Sequence, residues 1–166
     1  MRVRVLAALA AALAPAVVLG AVLAQASPAH RPATGAVALP GIPKDIAGFE
    51  RWTKMNFKAL PARGGEAHHG LKNVYVNRKR ALLVRAGKQR FPYPRETIVV
   101  KTASTEGVVT LVAIGRKKRT GFGGWQWAEY SRSQAKERFS FLASGSVCTG
   151  CHVGARKTDW IFTRVR

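Results

Sequence analysis

The pattern of apolar and polar residues predicts four β-strands. Residues 71–76, 97–103 and 125–130 each show the two-residue period of a strand with distinct faces. Residues 108–114 are apolar on both faces, so we expect this strand in the middle of a sheet. In the last segment the two tryptophans share a face with Glu129. Because no long helix separates these segments, we expect antiparallel pairing.

Three other segments predict helices. In residues 45–57 large apolar side chains recur at helical spacing, with charged side chains opposite them. Residues 78–86 follow Asn77, a good N-cap, and stop at Gly87. Residues 133–141 form a third, short candidate. The whole pattern predicts an α+β fold, an antiparallel β-sheet with a few packed helices.

The N-terminal segment predicts export. Two arginines precede an Ala/Leu/Val run that ends in Ala-Gln-Ala, so we expect a signal peptide at residues 1–26 and a periplasmic protein. An uncleaved membrane anchor is the alternative, since the run is nearly long enough to span a bilayer. Residues 27–43, rich in Pro, Ala and Gly, predict a flexible linker. Residues 44–166 are then the folded domain.

The formal net charge of +20 indicates acidic or anionic partners. Export argues against nucleic acid, so an acidic redox-partner protein is the expected macromolecular partner. A second copy of the chain, in a homodimer, is the alternative partner. The basic turn at residues 116–119 is expected to be solvated.

The motif with the most specific chemistry is Cys148-Thr149-Gly150-Cys151-His152. Two thiols at this spacing can form thioethers with a haem, and the next histidine can ligate its iron. We predict one covalent haem c per chain, held by Cys148 and Cys151, with His152 as the metal ligand. A thiol redox pair and a weak metal site are the alternatives. A redox pair favours a βαβ setting, which the pattern does not show.

Three residues are candidates for a sixth iron ligand. Met55 lies in the apolar stripe of the first predicted helix, where core packing is favoured. His68 and His69 lie on a loop, from which one of them could reach the haem. We expect none of them to bind, which leaves a five-coordinate iron.

Lys101 interrupts a β-branched run. One interpretation is an edge strand whose lysine reaches water. In the other, Lys101 shares a buried face with Val99 and Ala103, where a free ammonium is costly and must be desolvated or bonded. The sequence leaves both open.

Taken together, several short motifs resemble those of cytochrome P-460 and its relative cytochrome c′-beta. They are Phe49-Glu50-Arg51-Trp52, His69-Gly70, Phe91-Pro92, Glu96-Thr97-Ile98-Val99-Val100-Lys101, Trp125-Gln126-Trp127, Cys148-x-x-Cys151-His152 and Asp159-Trp160-Ile161-Phe162-Thr163. The resemblance covers most of the chain after residue 42. It implies an α+β domain with an antiparallel sheet, a haem attached near the C-terminus, and a five-coordinate iron.

The two relatives imply different chemistry. Cytochrome P-460 oxidises hydroxylamine and has a lysine bonded to the porphyrin, at the position of Lys101 here. Cytochrome c′-beta lacks this bond and binds nitric oxide in a pocket capped by apolar aromatic residues, for which Phe91 is a candidate.

This chain departs from the oxidising members at two positions. Their catalytic carboxylate is matched by Val112, which cannot accept a proton, and a pocket arginine is matched by Lys72. Glu129 or Glu106 could substitute for the carboxylate, but nothing in the sequence shows it.

Three functions therefore stay open. The first is a haem protein that binds small nitrogen ligands, chiefly nitric oxide. The second is a hydroxylamine oxidoreductase with a Lys101–haem cross-link, and the third is a plain electron-transfer cytochrome.

Overall fold

The computed structural model describes residues 39–165, so the predicted signal peptide and most of the predicted linker lie outside the described residues. An antiparallel sheet of six strands forms the centre: β1 (Thr53–Lys54), β2 (Leu71–Val76), β5 (Ile98–Thr105), β6 (Val108–Lys117), β7 (Trp125–Ser131) and β8 (Ser140–Ser144). Their order across the sheet is β1-β2-β5-β6-β7-β8. A small hairpin joins β3 (Val84–Arg85) to β4 (Lys88–Gln89). Two short α-helices, α1 (Arg80–Leu83) and α2 (Ser146–His152), complete the predicted α+β fold.

The helix predicted over residues 45–57 is wrong. The segment forms two 3-10 turns, Lys44–Ile46 and Phe49–Arg51, followed by β1. Gly48, with φ 72°, separates the turns. The apolar side chains Ile46, Phe49 and Trp52 recur at intervals of three, which suits a 3-10 helix as well as the edge of an α-helix.

The helix predicted over residues 78–86 is shorter than expected. Only α1 is helical, and the chain then turns back through the β3–β4 hairpin. Asn77 does not cap α1. Its side-chain oxygen accepts a hydrogen bond from the Ile98 amide (2.7 Å), so it joins the end of β2 to β5.

The third predicted helix, over residues 133–141, is also wrong. The Glu137 carboxylate accepts hydrogen bonds from the amides of Ser133 and Gln134, both at 2.9 Å, which closes a turn. The chain then enters β8, which pairs with β7. The local carboxylate–amide bonds favour the turn over a helix.

The two faces of the sheet carry different cores. On the back face, apolar residues of the N-terminal turns pack on β5 and β6; this cluster is Ile42, Ile46, Phe49, Trp52, Val100, Val112, Ile114 and Phe139. On the front face, one end of the sheet is covered by α1, the chain after β4 and the C-terminus. This second cluster is Met55, Val74, Val76, Leu83, Tyr93, Val99, Ile161 and Val165.

The basic turn was predicted to be solvated, but Lys117 is fully buried. Its ammonium lies 2.6 Å from the Asp159 carboxylate, and neither side chain is exposed. Asp159 also accepts hydrogen bonds from the amides of Tyr93 (2.9 Å) and Gly123 (2.6 Å). One buried ion pair thus ties the C-terminal segment to two loops of the front face.

Part of the predicted linker packs against the domain. Ile42 is buried in the back-face core, and the Phe139 amide donates to the Pro40 carbonyl at 2.8 Å. Gly41 has φ +91°, and a β-carbon there would lie 2.1 Å from the Phe139 carbonyl oxygen. Within residues 39–165, no helix is long and apolar enough to cross a membrane.

Candidate functional site

Helix α2 presents the Cys-x-x-Cys-His motif. Cys148 is partly buried, Cys151 is exposed and both thiols are free. Residues three and four apart share a helix face, so Cys148 lies beside Cys151 and His152. Burial raises the pKa of the Cys148 thiol, and the nearby Glu129 carboxylate adds to this effect.

His152 is oriented by a backbone hydrogen bond. Its Nδ1 lies 2.6 Å from the Trp160 carbonyl oxygen. Since a carbonyl only accepts, Nδ1 carries the proton and Nε2 keeps its lone pair for a metal. The ring lies between Trp127 (centroids 4.0 Å apart) and Phe162 (5.4 Å). Burial lowers the pKa of His152, which favours the neutral, ligating form.

Lys101 faces the same pocket as His152. The pocket is a small cavity of about 40 Å³ on the front face of the sheet. It is lined by Val74, Val99, Lys101, Ala113, Ile114, Gly115, Trp127, His152, Ile161, Phe162 and Thr163. Because β5 lies between β2 and β6, the edge-strand interpretation of Lys101 is wrong. Burial lowers the pKa of Lys101 to about 8, with a further decrease caused by Lys72.

Strand register brings Glu129 to this face. Lys101 pairs with Ala113, and Ala113 pairs with Glu129 on the next strand. Residues paired directly across strands point to the same side of a sheet. Glu129 is only 9% exposed, and its Oε1 lies 3.2 Å from His68 Nε2.

The other carboxylate positions considered from the sequence do not reach the pocket. Val112 is buried in the back-face core, on the opposite side of the sheet from the pocket. The residue paired with Lys101 on β6 is Ala113, which also lacks a carboxylate. Glu106 is exposed in the turn between β5 and β6. The sequence contained one signal for Glu129, its strand alternation with Trp125 and Trp127, but nothing in it showed which face met the pocket.

Lys72 lies on the same face of the sheet as Lys101, because its partner on β5 is two residues along the strand from Lys101. It pairs with Ala103 on β5, and its buried ammonium forms an ion pair with Glu66 and donates to the His68 carbonyl at 3.4 Å. The loop that carries His68 is thereby held over the sheet.

The remaining candidates lie elsewhere. Met55 is fully buried in the front-face core, as expected for a packing residue. His69 lines a separate open cleft with Ser131 and Arg132. Phe91 packs edge-on against Tyr93, with ring centroids 5.6 Å apart, and is not among the residues that line the pocket. Phe162 and Trp127 are the aromatic residues beside His152.

The residues around α2 fit a haem. Thiols and an available imidazole nitrogen are the donors that a c-type haem uses. Large apolar side chains within and next to the motif are exposed to solvent: Val147 (74%) in α2, Val153 (37%) directly after it, and Phe162 (61%) beside His152. Such exposed apolar surface indicates a binding site, and an apolar macrocycle would cover it. Among residues 39–165, no three His, Cys, Asp or Glu side chains are grouped to hold a metal ion directly.

The family model Cytochrome P460 matches residues 46–163. The chain belongs to the cytochrome P460 family. It is therefore a mono-haem cytochrome, and its antiparallel sheet with short helices agrees with that assignment. No match was found among curated proteins or among solved structures.

Proposed function

We propose that this member of the cytochrome P460 family is an exported c-type cytochrome that binds small nitrogen ligands, chiefly nitric oxide. In this proposal Cys148 and Cys151 attach the haem covalently and His152 binds its iron. Bacterial c-type haem is attached outside the cytoplasm, so the predicted signal peptide and the attachment motif support each other. A five-coordinate haem iron supplies an open position for a small diatomic ligand.

The observation that carries the proposal is the placement of the histidines and of Met55. His152 lines the pocket with its Nε2 available. Met55 is enclosed in the core, and His68 is paired with Glu129. Within the described part of the chain, Met55 and His68 are therefore engaged in other contacts, and His69 lines a different cleft.

Two measurements test attachment and binding. Intact-mass analysis of protein expressed with haem-maturation machinery should show a polypeptide-plus-haem mass after acid–acetone extraction. Titration with nitric oxide should then give a saturable change in absorption. A bare polypeptide mass would refute covalent attachment, and an unchanged spectrum would refute nitric oxide binding.

A second function, hydroxylamine oxidation with a Lys101–haem cross-link, is favoured by one observation. Lys101 faces the pocket with a pKa of about 8, lowered by burial. At neutral pH more of its amine is therefore unprotonated than for an exposed lysine, and the unprotonated amine is the nucleophile. Lys101→Arg and Lys101→Ala should both change the absorption spectrum and abolish hydroxylamine turnover. Unchanged spectra in both variants, with no turnover in the parent, would remove this function.

A further inference from the structure

Two consecutive residues near the C-terminus, Asp159 and Trp160, have left-handed backbone conformations, with φ 51° and 68°. Residues other than glycine rarely adopt this conformation, and it persists only where the surrounding contacts impose it. The turn follows α2 and the 3-10 segment Val153–Thr158, so it brings the chain back beside the haem motif. The Trp160 carbonyl oxygen then lies 2.6 Å from His152 Nδ1. The strained turn therefore supplies the hydrogen-bond acceptor for the residue proposed to bind the iron.

The side chain of Asp159 holds this turn in place. Its carboxylate accepts hydrogen bonds from the amides of Tyr93 (2.9 Å) and Gly123 (2.6 Å) and from the ammonium of Lys117 (2.6 Å). Both members of the Lys117–Asp159 pair have side chains that are 0% exposed. A buried charged network whose members are all hydrogen-bonded is rigid, because leaving any member unpaired is costly. The turn is therefore fixed by contacts from β6 and from the loops before β5 and after β6.

The same ion pair is connected to His152 by a second route. The Lys117 ammonium lies 5.3 Å from the ring centroid of Trp125. Trp125 stacks on Trp127 with centroids 5.6 Å apart, and Trp127 contacts the His152 ring at 4.0 Å. Both neighbours of the imidazole, the Trp160 carbonyl at its Nδ1 and the Trp127 ring on its face, are thus linked to one buried pair.

We propose that the buried Lys117–Asp159 pair positions His152 by holding the Trp160 carbonyl as the acceptor for its Nδ1–H group. The inference rests on the proposed function, in which His152 is the iron ligand. An acceptor at Nδ1–H makes the ligating Nε2 more basic. A more basic ligand donates more charge to the iron, which stabilises the ferric form relative to the ferrous form. Because Asp159 acts on His152 through the backbone of Trp160, it is a positioning residue.

The test uses a double variant of the holoprotein, Lys117→Met/Asp159→Asn. It removes both charges together, so the net charge is unchanged and no unpaired charge stays buried. Asparagine also tolerates the left-handed conformation at position 159. The reduction potential should shift in the positive direction, favouring the ferrous form about two- to ten-fold, because the hydrogen bond to His152 is weakened. The iron–histidine stretching band in the resonance Raman spectrum of the ferrous protein should move to lower frequency.

Two controls separate positioning from stability. Arg116→Met/Asp45→Asn removes the neighbouring, more exposed ion pair of β6, and it should leave the potential and the stretching band unchanged. Ile46→Ala destabilises the fold through the back-face core, and it should also leave both unchanged. If the first double variant does not hold haem, Asp159→Glu is the second variant. It keeps the charge but lengthens the side chain, and the band should move in the same direction.

An unchanged potential and stretching band in the folded Lys117→Met/Asp159→Asn protein would overturn the proposal and leave the pair a purely structural one. A ferrous parent that is six-coordinate and lacks the stretching band would instead overturn the five-coordinate site of the proposed function. In that case the reduction potentials of the same variants still decide on the role of the pair.

Discussion

The two faces of the central sheet use the same strands in different ways. On the back face β5 and β6 contribute Val100, Val112 and Ile114 to an apolar core closed by the N-terminal turns. On the front face the intervening positions include Lys101, and Glu129 follows on β7. Strand alternation keeps the two sets one residue apart. The back face is therefore a purely apolar core, whereas the front face combines a second apolar core with buried charged groups, which must be paired or shifted in pKa.

Two ion pairs on neighbouring residues of β6 give the largest expected contrast. Lys117 pairs with Asp159 in the buried front-face site, whereas Arg116 pairs with Asp45 at 2.9 Å on the more exposed back side. Asp159→Asn should lower the free energy of unfolding by about 3–5 kcal/mol, because it leaves a buried ammonium without its counter-charge. Asp45→Asn should cost about 1 kcal/mol or less. Denaturant titration measures both, and equal losses would remove the contrast.

A substitution that creates a cavity in the back-face core should lower stability without changing ligand binding on the front face. Ile46 is fully buried in the back-face core, so Ile46→Ala should lower the free energy of unfolding by about 2–5 kcal/mol. The absorption spectrum of the holoprotein and its nitric oxide affinity should stay unchanged. A shifted spectrum in the folded variant would show that the two faces are coupled.

Lys101 should make the haem-free chain's stability depend on pH. Its folded-state pKa is about 8, lowered chiefly by burial, against 10.5 for an ordinary lysine. Between these values the folded state binds fewer protons than the unfolded state, so stability should rise with pH across this window. Below pH 8 both states are protonated and the burial cost persists in full. Lys101→Met should remove the rise and add about 1–2 kcal/mol at pH 7, after allowance for solvent screening.

Lys101→Arg is the control, because it keeps a charge that does not titrate in this range. Its unfolding free energy should not rise between pH 8 and 10.5. Parallel stability curves for the parent and Lys101→Met over that window would contradict the buried amine, because the raised pKa values of Cys148 and Tyr93 act equally in both proteins.

The smallest expected effect concerns the thiol beside Glu129. Burial and then Glu129 raise the pKa of Cys148. In a haem-free Cys151→Ser background, Glu129→Gln should speed alkylation of Cys148 at pH 7.5 about two- to five-fold, since the thiolate is the reactive form. Glu106→Gln should leave the rate unchanged. Equal alkylation rates in all three proteins would show that the Glu129 carboxylate lies too far from Cys148 to affect its pKa.

The sequence predicted the central strands well because their alternation is strong and local. It failed at residues 45–57, where a three-residue spacing fits more than one helix type and Gly48 interrupts the segment. It missed β8, whose side chains are mostly exposed and show no apolar alternation.

In the candidate site, the motif identified Cys148, Cys151 and His152 as residues to test. The pairing of Glu129 with His68, and of Lys117 with Asp159, depends on contacts between distant segments. Contacts between distant segments produce no periodic pattern in the local sequence, so sequence reasoning could not predict them.

The central claim is a haem iron with His152 as its only strong protein ligand. Absorption and electron paramagnetic resonance spectra of the holoprotein, ferric and ferrous, test it most directly, in the parent and in Met55, His68 and His69 variants. We predict a high-spin, five-coordinate ferrous iron in which changes at Met55 and His69 leave the coordination unchanged. A low-spin, six-coordinate spectrum that becomes high-spin when Met55, His68 or His69 is replaced would contradict the claim.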